Sequence, residues 1–436
     1  MDGTKISLKK KITFTIITSI LFGIIYNFNA WYASTLAYVP SFVFSFEKRI
    51  PFIPLTVIPY LTSGLFFVSV FFCCKNNTQL VTLFKRMALI IIVAGVCYIL
   101  FPLKFSLTKP DTNNLLFQFL FQFIKNTDSP YNEAPSLHIA FAFVFWTVFK
   151  ELRKKWRNLF AIWFLLLGLS TLTTYQHHVI DILTGAILAQ ISFIVFPSQQ
   201  NNFQSRNFHI ANYYFTGGWI IILLSLVLNE FFYSVYLILF WPSLVLFLIG
   251  YNYQKNNVRF LKDRFGNIPL YKKAIYFPYL VTYWFLWRFL RKNSTTIEII
   301  PKIYISSRLD KEEIKSFNFN KNTWVYDFSA ELEENAIVVK NSQYFSAPIL
   351  DIGAFNVIEI KKIVSEISEI YKQLPSDGKI LIHCTMGFTR STFIGILATQ
   401  KILCLPIGEA ITKIKNTHKN AVIPNYLQEF LKTFII

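Results

Sequence analysis

The chain has 436 residues, of which 53% are hydrophobic and 18% aromatic, and its mean hydropathy is +0.42. That much apolar surface excludes a water-soluble protein of this size and points to a bilayer as solvent. The net charge of +19 is uneven: residues 1–296 hold 27 basic and 9 acidic residues, whereas 297–436 hold 16 and 15. In the apolar part the basic residues sit in loops between apolar runs, where they set orientation and can meet anionic lipid. They form no amphipathic or aromatic-interleaved patch, which excludes a nucleic-acid surface. The five cysteines, Cys73, Cys74, Cys97, Cys384 and Cys404, show no disulfide or metal spacing. Neither a metal nor another cofactor is expected.

Lys9, Lys10 and Lys11 precede the first apolar run. No small-residue cleavage site follows at signal-peptide distance, so this run reads as a span. Further runs at 52–74, 87–103, 136–150, 158–174, 179–197, 213–229 and 232–250 join the first, at 12–29. All are near the ~20 residues that a bilayer core requires. Basic residues mark alternate loops: Lys9 to Lys11; Lys75, Lys85 and Arg86; Lys150, Arg153, Lys154, Lys155 and Arg157. These loops are expected inside, and 30–51, 104–135 and 175–178 outside.

Two polar segments fall at outward span ends. One is Ala134-Pro135-Ser136-Leu137-His138. The other is Ser170-Thr171, followed five residues later by His177-His178-Val179-Ile180-Asp181. Ionisable residues at span ends are functional candidates. His177 and Asp181, four apart, share a helix face, so the carboxylate can orient the imidazole. His178 reads as an interfacial residue. The segments resemble the second and third motifs of the type 2 phosphatidic acid phosphatase family, which has a six-helix membrane core. The resemblance implies His177 as a nucleophile forming a phosphohistidine, Asp181 as its orienting partner and His138 as the acid for the leaving group. There are departures from the pattern: Leu137 replaces a Gly, Thr171 replaces a phosphate-binding Arg, and the first motif is reduced to Lys104 and Lys109-Pro110. The sphingomyelin synthase and inositol phosphorylceramide synthase branch, which moves a phospho-headgroup between lipids, shows the same losses. A phosphatase, a transferase and an impaired site all remain open.

Residues 251–275 read as a basic cytoplasmic loop with Gly266 and Pro269. Ala274 to Leu290 is rich in aromatics, with Tyr276, Phe277, Tyr279, Tyr283, Trp284, Phe285 and Trp287. Its uncharged part is about fourteen residues, short for a span. Arg288, Arg291 and Lys292 follow, so an interfacial helix is the expectation. The alternative is a ninth span, which would place the last domain outside.

The last domain begins near Ile297. Strands are expected at 302–305, 324–328 and 336–339, and Pro348-Ile349-Leu350 leads to Asp351. Amphipathic helices are expected at 358–371, 407–415 and 426–434. Strands alternating with helices predict an α/β sheet. Residues 379–382 read as a buried strand that stops at His383 and Cys384. Thr392 to Leu403 reads as a helix, and the loop between carries Gly387, Arg390 and Ser391. Loop and first-turn N–H groups converge there, and the helix dipole adds positive potential, so the loop is an anion site. Its field is expected to hold Cys384 as a thiolate. Arg390 can grip two phosphate oxygens with its planar fork, and Ser391 can donate to the sulfur or to the departing phosphate.

This Cys-x5-Arg-Ser loop, with about the last 140 residues around it, resembles the dual-specificity branch of the cysteine phosphatases. The resemblance implies attack by Cys384 on a phosphomonoester and hydrolysis of the phosphocysteine by water. It implies an aspartate acid on a preceding loop, and Asp351 matches. Asp327 is the second candidate, but its strand pattern reads as structural. His383 reads as a buried residue orienting the loop. The whole chain resembles bacterial inner-membrane fusions of a lipid-phosphatase-like domain with a dual-specificity phosphatase. The expected fold is therefore a multi-span α-helical membrane domain, a six-helix core plus two further spans, followed by an α/β domain. The expected divisions are 1–212, 213–296 and 297–436. The expected substrate is a phosphorylated lipid headgroup or a phosphoprotein, with membrane lipids as partners. A non-catalytic membrane scaffold is the contrasting class. Eight crossings put both termini inside and Cys384 in the reducing cytoplasm.

Overall fold

The computed structural model describes residues 6–199, 202–232, 234–291 and 296–433. Contacts divide the chain into two compact units. The first draws on Met1–Gln199 and Phe215–Ser243, the second on Gln200–Tyr214 and Leu244–Ile436. The middle segment expected at 213–296 is thus divided between them.

The first unit is helical. Its elements are α1 (Leu8–Thr35), α2 (Val57–Cys73), α3 (Asn77–Leu100), α4 (Leu115–Thr127), α5 (Leu137–Phe149), α6 (Lys154–Thr173) and α7 (Val179–Val195). The chain continues with α8 (Arg206–Phe232) and α9 (Phe240–Gln254), each of which passes from one unit into the other. Among the described residues, six stretches are long and apolar enough to cross a membrane: 8–35, 54–73, 77–100, 154–173, 206–232 and 236–254. The shorter apolar helices α5 and α7 bury most of their length. A helix that is apolar all round belongs inside a bundle, and Phe141, Phe145, Leu188 and Ala189 pack there against Leu83, Met87, Ile90 and Ala94 of α3. α7 runs so close to the Ser136 loop that a Cβ at Gly185 would stand 2.5 Å from Ser136 O. Residues 104–135, expected as a loop, contain α4, which the Asn114 side chain caps by accepting from Leu116 N and Phe117 N.

The second unit is an α/β body. After α8 and α9 come α10 (Leu270–Ile275), α11 (Phe277–Leu290), β1 (Ile297–Ile300), β2 (Ile303–Ser307), α12 (Lys311–Phe317), β3 (Thr323–Ser329), α13 (Ala336–Asn341), β4 (Gln343–Ile349), α14 (Val357–Lys372), β5 (Lys379–Cys384), α15 (Arg390–Leu403), α16 (Ile407–Thr417) and α17 (Asn425–Thr433). The sheet order is β1-β2-β5-β3-β4. β1 is antiparallel to β2, and the other neighbours are parallel. β5 is covered on both faces, which is why it reads as a continuous apolar run. Ile380 and Ile382 are fully buried in the core, each contributing roughly 1.5–3 kcal/mol. The parallel strands end at Ser307, Ser329, Ile349 and Cys384, on one edge of the sheet. Ligands of α/β sheets bind outside the carboxyl ends of the strands.

One expected strand is a helix. Residues 336–339 begin α13, because the Asn335 side chain accepts from Ile337 N and starts a turn. A four-residue apolar run does not distinguish the two periods. α11 has fourteen residues and buries Tyr279, Tyr283 and Trp287 at four-residue spacing. Its other face is open: Phe285 is 55% exposed and Phe289 60%. One stripe of the helix is thus held by its own domain, and the other is apolar and bare.

Candidate active sites

β5 delivers Cys384 to the sheet edge, where the chain turns back into α15. Gly387 N donates to Cys384 Sγ at 3.3 Å, and Ser391 Oγ lies 3.5 Å from the sulfur. The turn requires Gly387, whose φ is +78° and whose Cβ would meet Ser307 N at 2.6 Å. His418 Nε2 holds Gly387 O at 3.0 Å and Val422 N holds Phe388 O at 2.9 Å, so the loop is fixed from behind. Arg390 opens α15 and is buried. Its Nη1 donates to both Glu331 oxygens, at 2.9 and 3.0 Å, and to Ile349 O at 2.9 Å. Nη2 lies 3.3 Å from Asp351 Oδ1. Burial opposes the guanidinium, but Glu331 and Asp351 outweigh it and hold its pKa above the ordinary value. Glu331 is buried and accepts from Thr385 Oγ1 at 2.6 Å. Burial raises its pKa, against the pull of Arg390. The fork of Arg390 is therefore locked in orientation, as grip on phosphate oxygens demands.

The two aspartates differ in their surroundings. Asp351 follows β4 and accepts from Tyr283 Oη at 3.1 Å. Asp327 is fully buried and accepts from Lys262 Nζ at 2.7 Å, Tyr344 Oη at 2.7 Å and Ser329 N at 2.8 Å. Burial works against its carboxylate, yet Lys262 and His383 hold it below the usual range. With its lone pairs occupied beneath the sheet edge, Asp327 is a structural group. His383 is buried, its Nε2 3.3 Å from Glu334 Oε2.

In the first unit the second and third motif segments come together. His138 Nδ1 lies 3.3 Å from His177 Nε2. On the other side of the ring, His177 Nδ1 lies 3.4 Å from Asp181 Oδ2 and 3.2 Å from Glu133 Oε2. Carboxylates at Nδ1 favour a proton there, and Nε2 faces His138. Glu133, His177 and Asp181 also stand close enough to share a metal ion. Ser136 N donates to Asp181 O at 2.9 Å, which ties the two segments. A cavity of about 270 Å³ opens beside the histidine pair, lined by Tyr26, Tyr60, Phe67, Tyr98 and Asp128. Tyr26 and Tyr60 both donate to Asp128. Among the described residues no lysine or arginine lines this cavity. His178 is not an exposed interfacial group. It is buried, with Nδ1 2.9 Å from Glu47 Oε2 and its ring stacked on Phe105.

Glu133, Glu331 and Tyr283 were not singled out by sequence. Glu133 directly precedes the Ala134-Pro135-Ser136 segment and was open to notice. Glu331 lies in an acidic run that reads as solvated surface.

Comparison with known proteins bears on each unit separately. Residues 83–205 match the PAP2 superfamily. The PAP2-like stretch contains His138, His177 and Asp181. No curated protein matches the sequence. Among solved structures, similarity is found to Tk-PTP in its active form, with 22% identity over 32% of this chain and 95% of that one, at a TM-score of 0.29. Human DUSP28 is similar at 12% identity over 32% of this chain and 91% of that one, TM-score 0.26. Human tyrosine phosphatase-like serine/threonine/tyrosine-interacting protein is similar at 13% identity over 32% and 93%, TM-score 0.26.

Proposed function

We propose that this chain is a membrane-bound phosphatase that hydrolyses phosphomonoesters at Cys384, with a phosphorylated lipid headgroup as substrate. One observation carries the reading: Cys384, the Gly387 amide, Ser391 and an Arg390 locked by Glu331 converge at a helix N-terminus. Such a cradle suits a phosphoryl group and the charge that develops on its equatorial oxygens. The Cys384 sulfur attacks phosphorus, the P–O bond to the leaving group breaks, and Asp351 gives that oxygen its proton. Water then cleaves the S–P bond and releases phosphate.

The lipid assignment is supported by α11, whose bare aromatic face fits a lipid surface and whose buried face belongs to the same unit as Cys384. A helix at the interface raises the local concentration of headgroups. A phosphotyrosine protein is the second reading, favoured by the apolar wall of Phe355, Phe393 and Tyr426 beside Arg390. The His177 cluster is proposed as a second, PAP2-type site in which His177 is the nucleophile, Asp181 its partner and His138 the acid. We place the protein in a bacterial inner membrane with Cys384 in the cytoplasm. The test is turnover by purified full-length protein of a panel of phospholipids and phosphopeptides, with Cys384→Ser as control. Release of phosphate from peptides alone overturns the lipid assignment. A cysteine placed at exposed Lys419 tests sidedness: labelling of intact cells by an impermeant maleimide overturns the cytoplasmic placement.

A further inference from the structure

The loop that carries Asp351 takes few of its hydrogen bonds from the sheet it follows. Tyr253 Oη of α9 donates to Asp351 O at 3.1 Å. Arg206 Nε of α8 donates to Ile352 O at 3.1 Å. Asn207, also of α8, accepts from Ala354 N at 2.7 Å and donates to Ala354 O at 3.1 Å. These contacts hold the backbone. The carboxylate itself is held by Arg390 Nη2, 3.3 Å from Oδ1, and by Tyr283 Oη, which donates to Oδ2 at 3.1 Å. Tyr283 comes from the middle of α11.

The same helix is fixed on the other flank of the site. Trp287 Nε1 donates to Arg308 O at 2.7 Å, and Arg291 pairs with Asp310 at 2.5 Å and Glu313 at 2.7 Å. Arg308 N in turn donates to Thr385 O, beside Cys384, at 3.3 Å. α11 thus braces the segment after β2 with one buried residue and the Asp351 carboxylate with another, one helical turn away. The stripe Tyr279, Tyr283 and Trp287 could have been wholly apolar if its task were packing alone. At its centre it carries a hydroxyl aimed at the candidate acid.

We infer that Tyr283 is a positioning residue of the Cys384 site, setting the Asp351 carboxyl from the aromatic helix. The inference rests on the reading of Asp351 as the acid proposed above. A general acid acts only when its proton points at the leaving oxygen within hydrogen-bond reach. Arg390 draws the other oxygen of Asp351 toward the guanidinium, and an unanchored carboxyl would rotate into that ion pair. The Tyr283 hydroxyl holds Oδ2 and prevents the rotation. Burial and the neighbouring Asp351 push the Tyr283 pKa well above its ordinary value, so it stays a donor.

The test uses full-length protein and two substrates. Phenyl phosphate needs a proton on its leaving oxygen; 2,4-dinitrophenyl phosphate departs without one. Tyr283→Phe keeps the ring and removes only the hydroxyl. It is expected to lower kcat on phenyl phosphate roughly tenfold, the worth of one buried hydrogen bond. KM and turnover of the dinitrophenyl ester should stay within about twofold. Asp351→Asn should show the same split with a larger loss. Trp287→Phe, on the same stripe but bonded to Arg308 O, should show no split. If Tyr283→Phe slows both esters equally, or neither, while Asp351→Asn gives the split, the inference is overturned and the acid assignment survives. If Asp351→Asn gives no split, the acid assignment falls and takes this inference with it.

Discussion

Around Cys384 an amide and a hydroxyl face the sulfur, and the Arg390 guanidinium, six residues on, is held by Glu331 and Asp351. Around His177 they are two carboxylates and a second histidine. The first set is arranged to receive negative charge, and the buried carboxylate of Glu331 holds the guanidinium. The second set is arranged to hold a proton on Nδ1. Thr171 stands where the family resemblance calls for an arginine, and it turns its hydroxyl to Gly168 O. The difference teaches that the two clusters use buried carboxylates for opposite ends. One locks a guanidinium, and the other faces the Nδ1 of an imidazole. From this contrast, phosphomonoester hydrolysis should belong to the second unit.

The largest expected effect is that of Cys384→Ser, which replaces the proposed sulfur nucleophile with a hydroxyl of similar size. Phosphate release from phosphomonoesters should fall by on the order of a thousandfold or more. A Ser variant of near-full activity would move the chemistry to His177 and break the contrast. Arg390→Lys should cost about a hundredfold in kcat, because an ammonium cannot span two oxygens and leaves Glu331 with a poorer partner. A loss of only a few fold would mean that charge alone suffices.

Buried charge also differs in what it does for folding. Lys262→Met removes the partner of Asp327 and should destabilise the second unit by about 3–5 kcal/mol, read by denaturant unfolding. The sign of the pH dependence sharpens this. In the native chain Asp327 is held below the usual carboxylate range. Its contribution is therefore present above the unfolded value and is lost as pH falls through the folded one. Without Lys262, burial becomes the dominant influence and lifts that carboxyl, so the variant should gain relative stability as pH falls. Parallel pH slopes in the two proteins would contradict the pairing. The smallest expected effect is that of His177→Ala on Cys384 turnover, which should stay within about twofold. A large loss would show that the two sites are not independent.

The parts of each site close in sequence were legible from it. Cys384, Gly387, Arg390 and Ser391 lie within eight positions, and His177 and Asp181 within five, so loop and helix periodicity bring them together. Six of the eight expected runs are helices of spanning length and were legible because bilayer length is a fixed ruler, whereas 136–150 and 179–197 are the shorter α5 and α7. Lys262 and Tyr283 were not, since their partners Asp327 and Asp351 lie 65 and 68 residues on, and no local pattern encodes such a meeting. A tyrosine in an aromatic run reads as an interface anchor, and nothing in the run marks its hydroxyl. The misread strand at 336–339 and the missed helix α4 share a cause. Both depend on an asparagine cap, a single side-chain bond that outweighs composition.

The ion pair between Lys262 and Asp327 also bears on modularity. Composition draws the border of the phosphatase-like part at residue 297, and a fragment cut there would keep the whole sheet and every residue of the Cys384 loop. It would also bury Asp327 without Lys262, and it would free the Asp351 loop from Tyr253, Arg206, Asn207 and Tyr283. The piece that could be inherited or exchanged intact is therefore larger than the sheet. It must carry the ends of two membrane helices and the aromatic helix between them and β1.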